Sequence, residues 1–160
     1  MAIDLVVVHS ISLPPGEYGG DAIERLFTNR LDPAAHPSFE TTAGLRVSAH
    51  LLVRRDGTRI QFVSCDERAW HAGASTWRGR TDCNDFSIGI ELEGREDDKF
   101  EMAQYERLGA TLASIAARYP IRAVTGHEHI ARGRKQDPGP GFDWAELERR
   151  VHALRLDFLP

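Results

Sequence analysis

His127 and Asp137 stand ten residues apart, with Lys135 two residues before the aspartate, so one short segment carries both metal-binding and charge chemistry. Residues 126–140 also contain Gly126, Gly133, Gly139, Pro138 and Pro140, a composition that disfavours a helix or a central strand and predicts a loop. Imidazole and carboxylate are both ligands that Zn2+ accepts, and a catalytic zinc keeps three protein ligands and one open position. The third ligand must come from elsewhere in the chain. His9 is the best placed, because it ends the apolar run 3–8 and so stands at the rim of a buried strand, where loops gather around a site.

Each of these residues has a second reading. His129 competes with His127. Asp137 before Pro138 is also ordinary turn chemistry, and Lys135 beside Arg132 and Arg134 also reads as a solvated basic face. His50 lies among apolar residues, where a buried, hydrogen-bonded imidazole is expected rather than a ligand. Trp70 and His71 open a loop. The indole either stacks on a sugar or plugs the core, and the imidazole either touches substrate or a ligand, or bonds to its own loop.

Glu91 is the remaining chemical residue. In 87–93, Ile88, Ile90 and Leu92 alternate with Gly89, Glu91 and Glu93, a period-two pattern that puts both acids on one face of a strand. An unpaired carboxylate is costly to bury, so an interior strand here demands a metal-bound water or a basic partner nearby, and a general base meets that demand. A solvent-facing strand edge with two harmless glutamates is the alternative.

The elements that must position these groups are legible in outline. Residues 3–8 predict a strand covered on both faces, and Asp21 is placed to cap a short helix with Ile23, Leu26 and Phe27 on one side. Residues 29–44 read as a long loop, expected to wall a groove. Strands over 46–55 and 59–64 joined through Asp56-Gly57 predict a hairpin, followed by a short helix over 66–70 and a loop to Asp85. Met102, Tyr105, Leu108, Leu112 and Ile115 mark a helix over 101–119 that lacks a good capping residue and is stopped by Pro120. A short strand at 124–125 and a helix over 143–154, capped by Asp143, close the chain. This order predicts a single α/β (α+β) domain over 1–160: a central mixed sheet flanked by helices.

Composition narrows the function. The 160 residues are 41% hydrophobic and 28% charged, as in globular domains, and no stretch approaches the ~20 apolar residues that span a bilayer. Asp4 interrupts the first apolar run, and no basic segment or cleavage pattern of a secretory signal precedes it, so a cytoplasmic location is expected. Cys65 and Cys83 are expected to be free thiols. A net charge of −4 offers no positive field for a polyanion, so nucleic acid is not an expected partner; neither membrane insertion nor an obligate protein partner is implied.

Five blocks carry a resemblance: His9-Ser-Ile-Ser-Leu-Pro-Pro-Gly-Glu, Val47-Ser-Ala-His-Leu-Leu-Val-Arg-Arg-Asp-Gly, Ala69-Trp-His-Ala-Gly, Cys83-Asn-Asp-Phe-Ser-Ile-Gly-Ile-Glu-Leu-Glu-Gly and Lys135-Gln-Asp-Pro-Gly-Pro. In this order, over nearly the whole chain, they resemble the AmpD-type zinc N-acetylmuramoyl-L-alanine amidases. The resemblance implies a mixed sheet with helices and one Zn2+ in a groove at its end. His9, His127 and Asp137 match the zinc ligands, Glu91 the catalytic acid and Lys135 the second catalytic residue. Arg46, Ser10, Trp70 and His71 match positions near the substrate. The implied reaction is hydrolysis of the amide between the lactyl group of (1,6-anhydro-)N-acetylmuramic acid and L-alanine of a muropeptide, in cell-wall recycling. A related class keeps the groove but only binds peptidoglycan; the five occupied chemical positions favour the enzyme. Ser10 replaces the usual Asn of the family, and Asp82 a frequent basic residue.

Overall fold

The computed structural model describes residues 1–159. In chain order its elements are β1 (Leu5–Ile11), α1 (Ala22–Phe27), β2 (Leu51–Val53), β3 (Arg59–Gln61), β4 (Thr76–Trp77), β5 (Arg80–Thr81), β6 (Ser87–Glu93), α2 (Met102–Arg118), β7 (Ala123–Gly126), α3 (His127–Ile130), α4 (Trp144–Val151) and β8 (Asp157–Leu159). Six strands form one mixed sheet in the order β3-β2-β6-β1-β7-β8, and β4-β5 is a separate small hairpin. Among the described residues, only the β2–β3 pairing in the large sheet is antiparallel. The expected architecture is the one found.

The period of two along the central strands sorts chemistry from core. Val6, Val8, Ile88, Ile90 and Leu92 join one buried cluster with Leu108, Leu112 and Ile115 of α2 and with Leu147 and Val151 of α4. Burying such side chains is worth roughly 1.5–3 kcal/mol each, which fixes the register of the strands, since a slip by one residue would turn the whole apolar set outward. Leu5 and Val7 face the opposite side with Phe86, Trp77 and Ile130. His9 continues the parity of Leu5 and Val7, and Glu91 alternates with Ile90 and Leu92, so both point to that second face.

Several local expectations are corrected. β1 runs to Ile11, so His9 lies inside the strand rather than past its end. No helix forms over 66–70, because the backbone there bonds to residues 48–50: the Ser48 N–H donates to Trp70 O, the Trp70 N–H to Ser48 Oγ, and His50 Nε2 to Glu67 O. The hairpin strands are shorter than expected: the Phe62 and Val63 N–H groups both converge on His50 O and break the ladder there, although Gly57 in the connection does adopt φ 83°. The loop 29–44 includes a 3-10 turn at Pro37–Phe39 that buries Phe39. The segment 126–140 is not wholly irregular: Gly126 ends β7 and His127 begins the helical turn α3.

Caps differ too. Asp21 accepts from Arg25 Nε at 2.7 Å rather than capping α1. At α2, the missing cap is supplied by Gln104, whose Oε1 accepts the Glu101 N–H at 3.0 Å while its Nε2 donates to Glu93 O and Val53 O. Asp143 caps α4 as expected, accepting the Glu146 N–H at 2.9 Å. Strands β4, β5 and β8 carry no sequence signal, because two or three residues are too few to show a period.

Candidate metal centre and groove

Three parallel strands, β6, β1 and β7, deliver the chemical groups at their carboxyl ends, where ligands of open α/β sheets are bound. His9 and Glu91 come from β1 and β6, His127 directly follows β7, and Asp137 is brought back by the loop after α3, whose Asp137 carbonyl accepts the Glu128 N–H at 2.8 Å. All four side chains are buried. Nδ1 of His9 and Nδ1 of His127 lie 3.0 Å apart, and each is 3.2 Å from Oδ2 of Asp137. Three donor atoms on one point form a set that could hold a metal ion, and no other group of three or more among the described residues does so. The side chain of His129 accepts the Gly126 N–H and packs on Trp144; His50 accepts the Gly89 N–H and donates to Glu67 O. Neither belongs to the set.

Charge states follow from the surroundings. Burial, with the His127 imidazole adding to it, lowers the pKa of His9 to about 4, so its ring is neutral at physiological pH. Burial pushes the Asp137 carboxyl up, but its contacts with His127 and His9 outweigh that and hold it well below the usual carboxylate range. The Ala72 carbonyl can only accept, so His127 Nε2 carries a proton and donates it there at 3.1 Å, which turns Nδ1 toward His9 and Asp137. A metal ion here would bind the Nδ1 lone pairs of the two imidazoles and the ionised Asp137 carboxylate.

Glu91 sits beside this set with Oε1 4.0 Å from His9 Nδ1, and its buried Oε2 has no hydrogen-bond partner. Burial drives its pKa well above the usual carboxylate range, the Asp137 charge adds to that, and the Lys135 ammonium opposes it. Lys135 is exposed and lines the same groove. Its neighbour Arg134 is not a free surface charge: its guanidinium donates to Ala72 O and Ala74 O, both at 2.8 Å, and pins the 71–75 loop to the segment that carries Asp137.

The groove over the donors has a volume of about 500 Å3. Its walls are apolar on one side, with Leu13, Phe27, Leu45 and Val47, and Thr42 from the long loop joins them. Trp70 is 56% exposed on the rim, with Arg68 stacked on its ring at 4.1 Å, so it does not plug the core. Ser10 also lines the groove, and its Oγ is a buried atom without a partner. Arg46 is exposed and is not among the lining residues, although Leu45 and Val47 on either side of it are. A larger cavity of about 970 Å3, lined by Trp77, Arg78 and Arg132, lies beyond Arg134 and contains none of the donors.

The model of the N-acetylmuramoyl-L-alanine amidase family matches residues 1–140. The chain belongs to that family. The amidase is 56% identical over 149 residues to the 1,6-anhydro-N-acetylmuramyl-L-alanine amidase AmpD of Citrobacter freundii, covering 92% of this chain and 80% of that one. The crystal structure of a selenomethionine AmpD derivative superimposes with a TM-score of 0.93 at 55% identity, over 94% of this chain and 86% of the other. The amidase AmiD of Escherichia coli, solved with the substrate anhydro-N-acetylmuramic acid-L-Ala-D-gamma-Glu-L-Lys, aligns with a TM-score of 0.69 at 33% identity, over 92% of this chain and 57% of that one.

Two residues of the amidase's site, Asn84 and Ser87, were not singled out from its sequence, whereas Gly89 leaves room on the face of Glu91 as its place in the strand pattern implies. Asn84 Oδ1 accepts the His71 and Ala72 N–H groups at 3.0 and 2.8 Å and so shapes the loop that holds His127 and Arg134. Ser87 and Gly89 on β6 seat the His71 ring; a Cβ at Gly89 would meet the imidazole at 2.4 Å. A glycine in the middle of a buried strand is the one signal that was available, since it marks close approach by another group.

Proposed function

We propose that this chain is a zinc-dependent hydrolase that cuts the amide between the lactyl group of N-acetylmuramic acid, in its 1,6-anhydro form, and L-alanine of the stem peptide, inside the cell during cell-wall turnover. One amidase domain over 1–160 holding one Zn2+ is part of the proposal. The observation that carries it is the convergence of His9, His127 and Asp137 beside Glu91, whose buried Oε2 has no hydrogen-bond partner. Donor separations of 3.0 to 3.2 Å are close to the ~3.3 Å edge of a tetrahedron with zinc–nitrogen distances near 2.0–2.1 Å. The donor set, two imidazoles and one carboxylate with room for a fourth ligand, is that of catalytic zinc and not of a closed structural site.

The chemistry that zinc supplies when bound is polarisation of the scissile carbonyl and acidification of a water. Glu91 takes a proton from the water as its oxygen bonds to the lactyl carbonyl carbon. The same carboxyl returns that proton to the L-alanine nitrogen as the carbon–nitrogen bond breaks, leaving a lactyl carboxylic acid and a peptide with a free amino terminus. The opposing pulls on Glu91, burial against Lys135, suit a group that must both accept and release a proton. Lys135 places its ammonium where negative charge grows on the carbonyl oxygen, which favours the transition state over the ground state. Ser10 Oγ, the exposed face of Trp70 and the apolar wall are the proposed contacts to the sugar and the L-alanine methyl, with Arg46 reaching a stem-peptide carboxylate from outside the groove.

Mass spectrometry of a purified anhydromuropeptide incubated with the metal-loaded and the chelated protein tests this reading. Release of the free stem peptide only by the loaded protein is expected. Binding of the muropeptide without cleavage in both states would instead make the chain a peptidoglycan-binding module.

A further inference from the structure

His9 reaches beyond the donor set with its second nitrogen. Its Nε2 lies 2.9 Å from His71 Nδ1, His71 Nε2 lies 3.2 Å from Ser87 Oγ, and Ser87 Oγ donates to the Cys83 carbonyl at 2.6 Å. All three side chains are buried, so no solvent proton intervenes along this line.

The direction of every proton in the chain follows from its last link. A carbonyl only accepts, so the single Ser87 hydroxyl proton is committed to Cys83 O, and Ser87 Oγ can only accept from His71. His71 Nε2 therefore carries its proton and Nδ1 is a bare lone pair. That lone pair requires a proton on His9 Nε2, which leaves His9 Nδ1 bare and facing His127 Nδ1 and Asp137. Reversed, the same chain would put a proton on His9 Nδ1, in the middle of the donor set. On His127 the corresponding Nε2 proton is held by a single bond to Ala72 O.

We infer that His71 and Ser87 are positioning residues for the metal centre: a relay of three hydrogen bonds, anchored on the Cys83 carbonyl, that fixes His9 in the tautomer able to bind through Nδ1. The inference rests on the zinc reading above. It also accounts for Gly89, whose missing side chain lets the His71 ring lie against β6 in line with both partners. Asn84 completes the arrangement by holding the His71 backbone.

The test combines 15N NMR of the imidazole nitrogens in the metal-free wild type and in Ser87→Ala with zinc affinity measured by competition against a chromogenic chelator. Expected are an Nε2–H tautomer for His71 in the wild type, a proton moved to Nδ1 of His71 in Ser87→Ala, and a zinc affinity about 10–100-fold weaker in that variant, the usual cost of losing an outer partner of a ligand. A wild-type His71 protonated at Nδ1, or a Ser87→Ala chain that binds zinc as tightly as the wild type, overturns the relay. A wild type with the expected tautomer and no zinc uptake overturns the zinc reading instead.

Discussion

His9 and Glu91 are direct register partners on the neighbouring parallel strands β1 and β6. Two residues opposite each other in a parallel ladder share a face, so the proposed ligand and the proposed proton carrier are held side by side by the backbone of the sheet and not by a loop. The separation of 4.0 Å between His9 Nδ1 and Glu91 Oε1 is a consequence of that pairing. It also explains why both groups can be buried: the rest of each strand, Val6 and Val8 or Ile90 and Leu92, supplies the apolar anchorage on the other face.

Metal binding is expected to discriminate between two histidines two residues apart. His127→Ala should strip zinc from the protein, whereas His129→Ala should retain a full equivalent, because His129 spends its ring on Gly126 and Trp144. Metal content after dialysis measures this; full occupancy in His127→Ala would reject the ligand assignment.

Replacing Glu91 by Gln keeps the shape of the groove and removes the proton acceptor. Zinc content and muropeptide binding should be unchanged while kcat falls by roughly two to four orders of magnitude, the usual share of general acid–base catalysis. Near-normal turnover by a folded, zinc-loaded Glu91→Gln protein is the result that refutes the role.

The same substitution has a signature in the metal-free protein. Burial raises the Glu91 pKa in the folded chain above its unfolded value, so the folded state binds the extra proton. Its contribution to stability is then fully present below the unfolded pKa of about 4.5 and is lost as pH rises through the folded pKa. Metal-free Glu91→Gln should therefore gain stability relative to metal-free wild type as pH rises above that value. Denaturant titrations across pH read the gap; a gap that narrows with rising pH contradicts the burial of this carboxyl.

Much of this site was legible because strand chemistry is periodic. The alternation of residues 87–93 placed Glu91 on the chemical face, and the apolar run before His9 put that residue at the end of the sheet that bears the groove. What was not legible depends on partners distant in sequence. The backbone of 66–70 looked helical and instead bonds to 48–50, and nothing in the helical pattern marked Gln104, whose side chain holds the Glu101 N–H at the start of α2 and ties the helix to β2 and β6. Arg134 looked like part of a basic patch, and only the position of the 71–75 loop reveals the two carbonyls it holds.

Gln104 makes that lesson measurable. It is fully buried, and Gln104→Leu would leave the Glu101 N–H and the Val53 and Glu93 carbonyls without this partner, so a loss of about 2 kcal/mol is expected. A shift of the urea midpoint reports it. A change within experimental error would mean that water or the strand ladder replaces the amide.

Lys135 is tested by how its loss divides between kcat and KM. Charge stabilisation in the transition state predicts that Lys135→Ala lowers kcat and kcat/KM together, by about 10²–10³. Ground-state attraction would raise KM alone. Arg132 is the proper comparison, since it is exposed with no hydrogen-bond partner among the described residues, while Arg134→Ala would disturb the loop at Ala72. Equal small effects at Lys135 and Arg132 would leave Glu91 and the metal to carry the reaction.

The most direct measurement for the whole account is hydrolysis of an anhydromuropeptide in H2-18O by zinc-loaded wild type, with mass spectrometry of both products. Water attack on the lactyl carbonyl predicts one 18O in the new lactyl carboxylate, none in the released peptide, and no product from the chelated protein. Label in the peptide, unlabelled acid, or cleavage that survives complete zinc removal would contradict it.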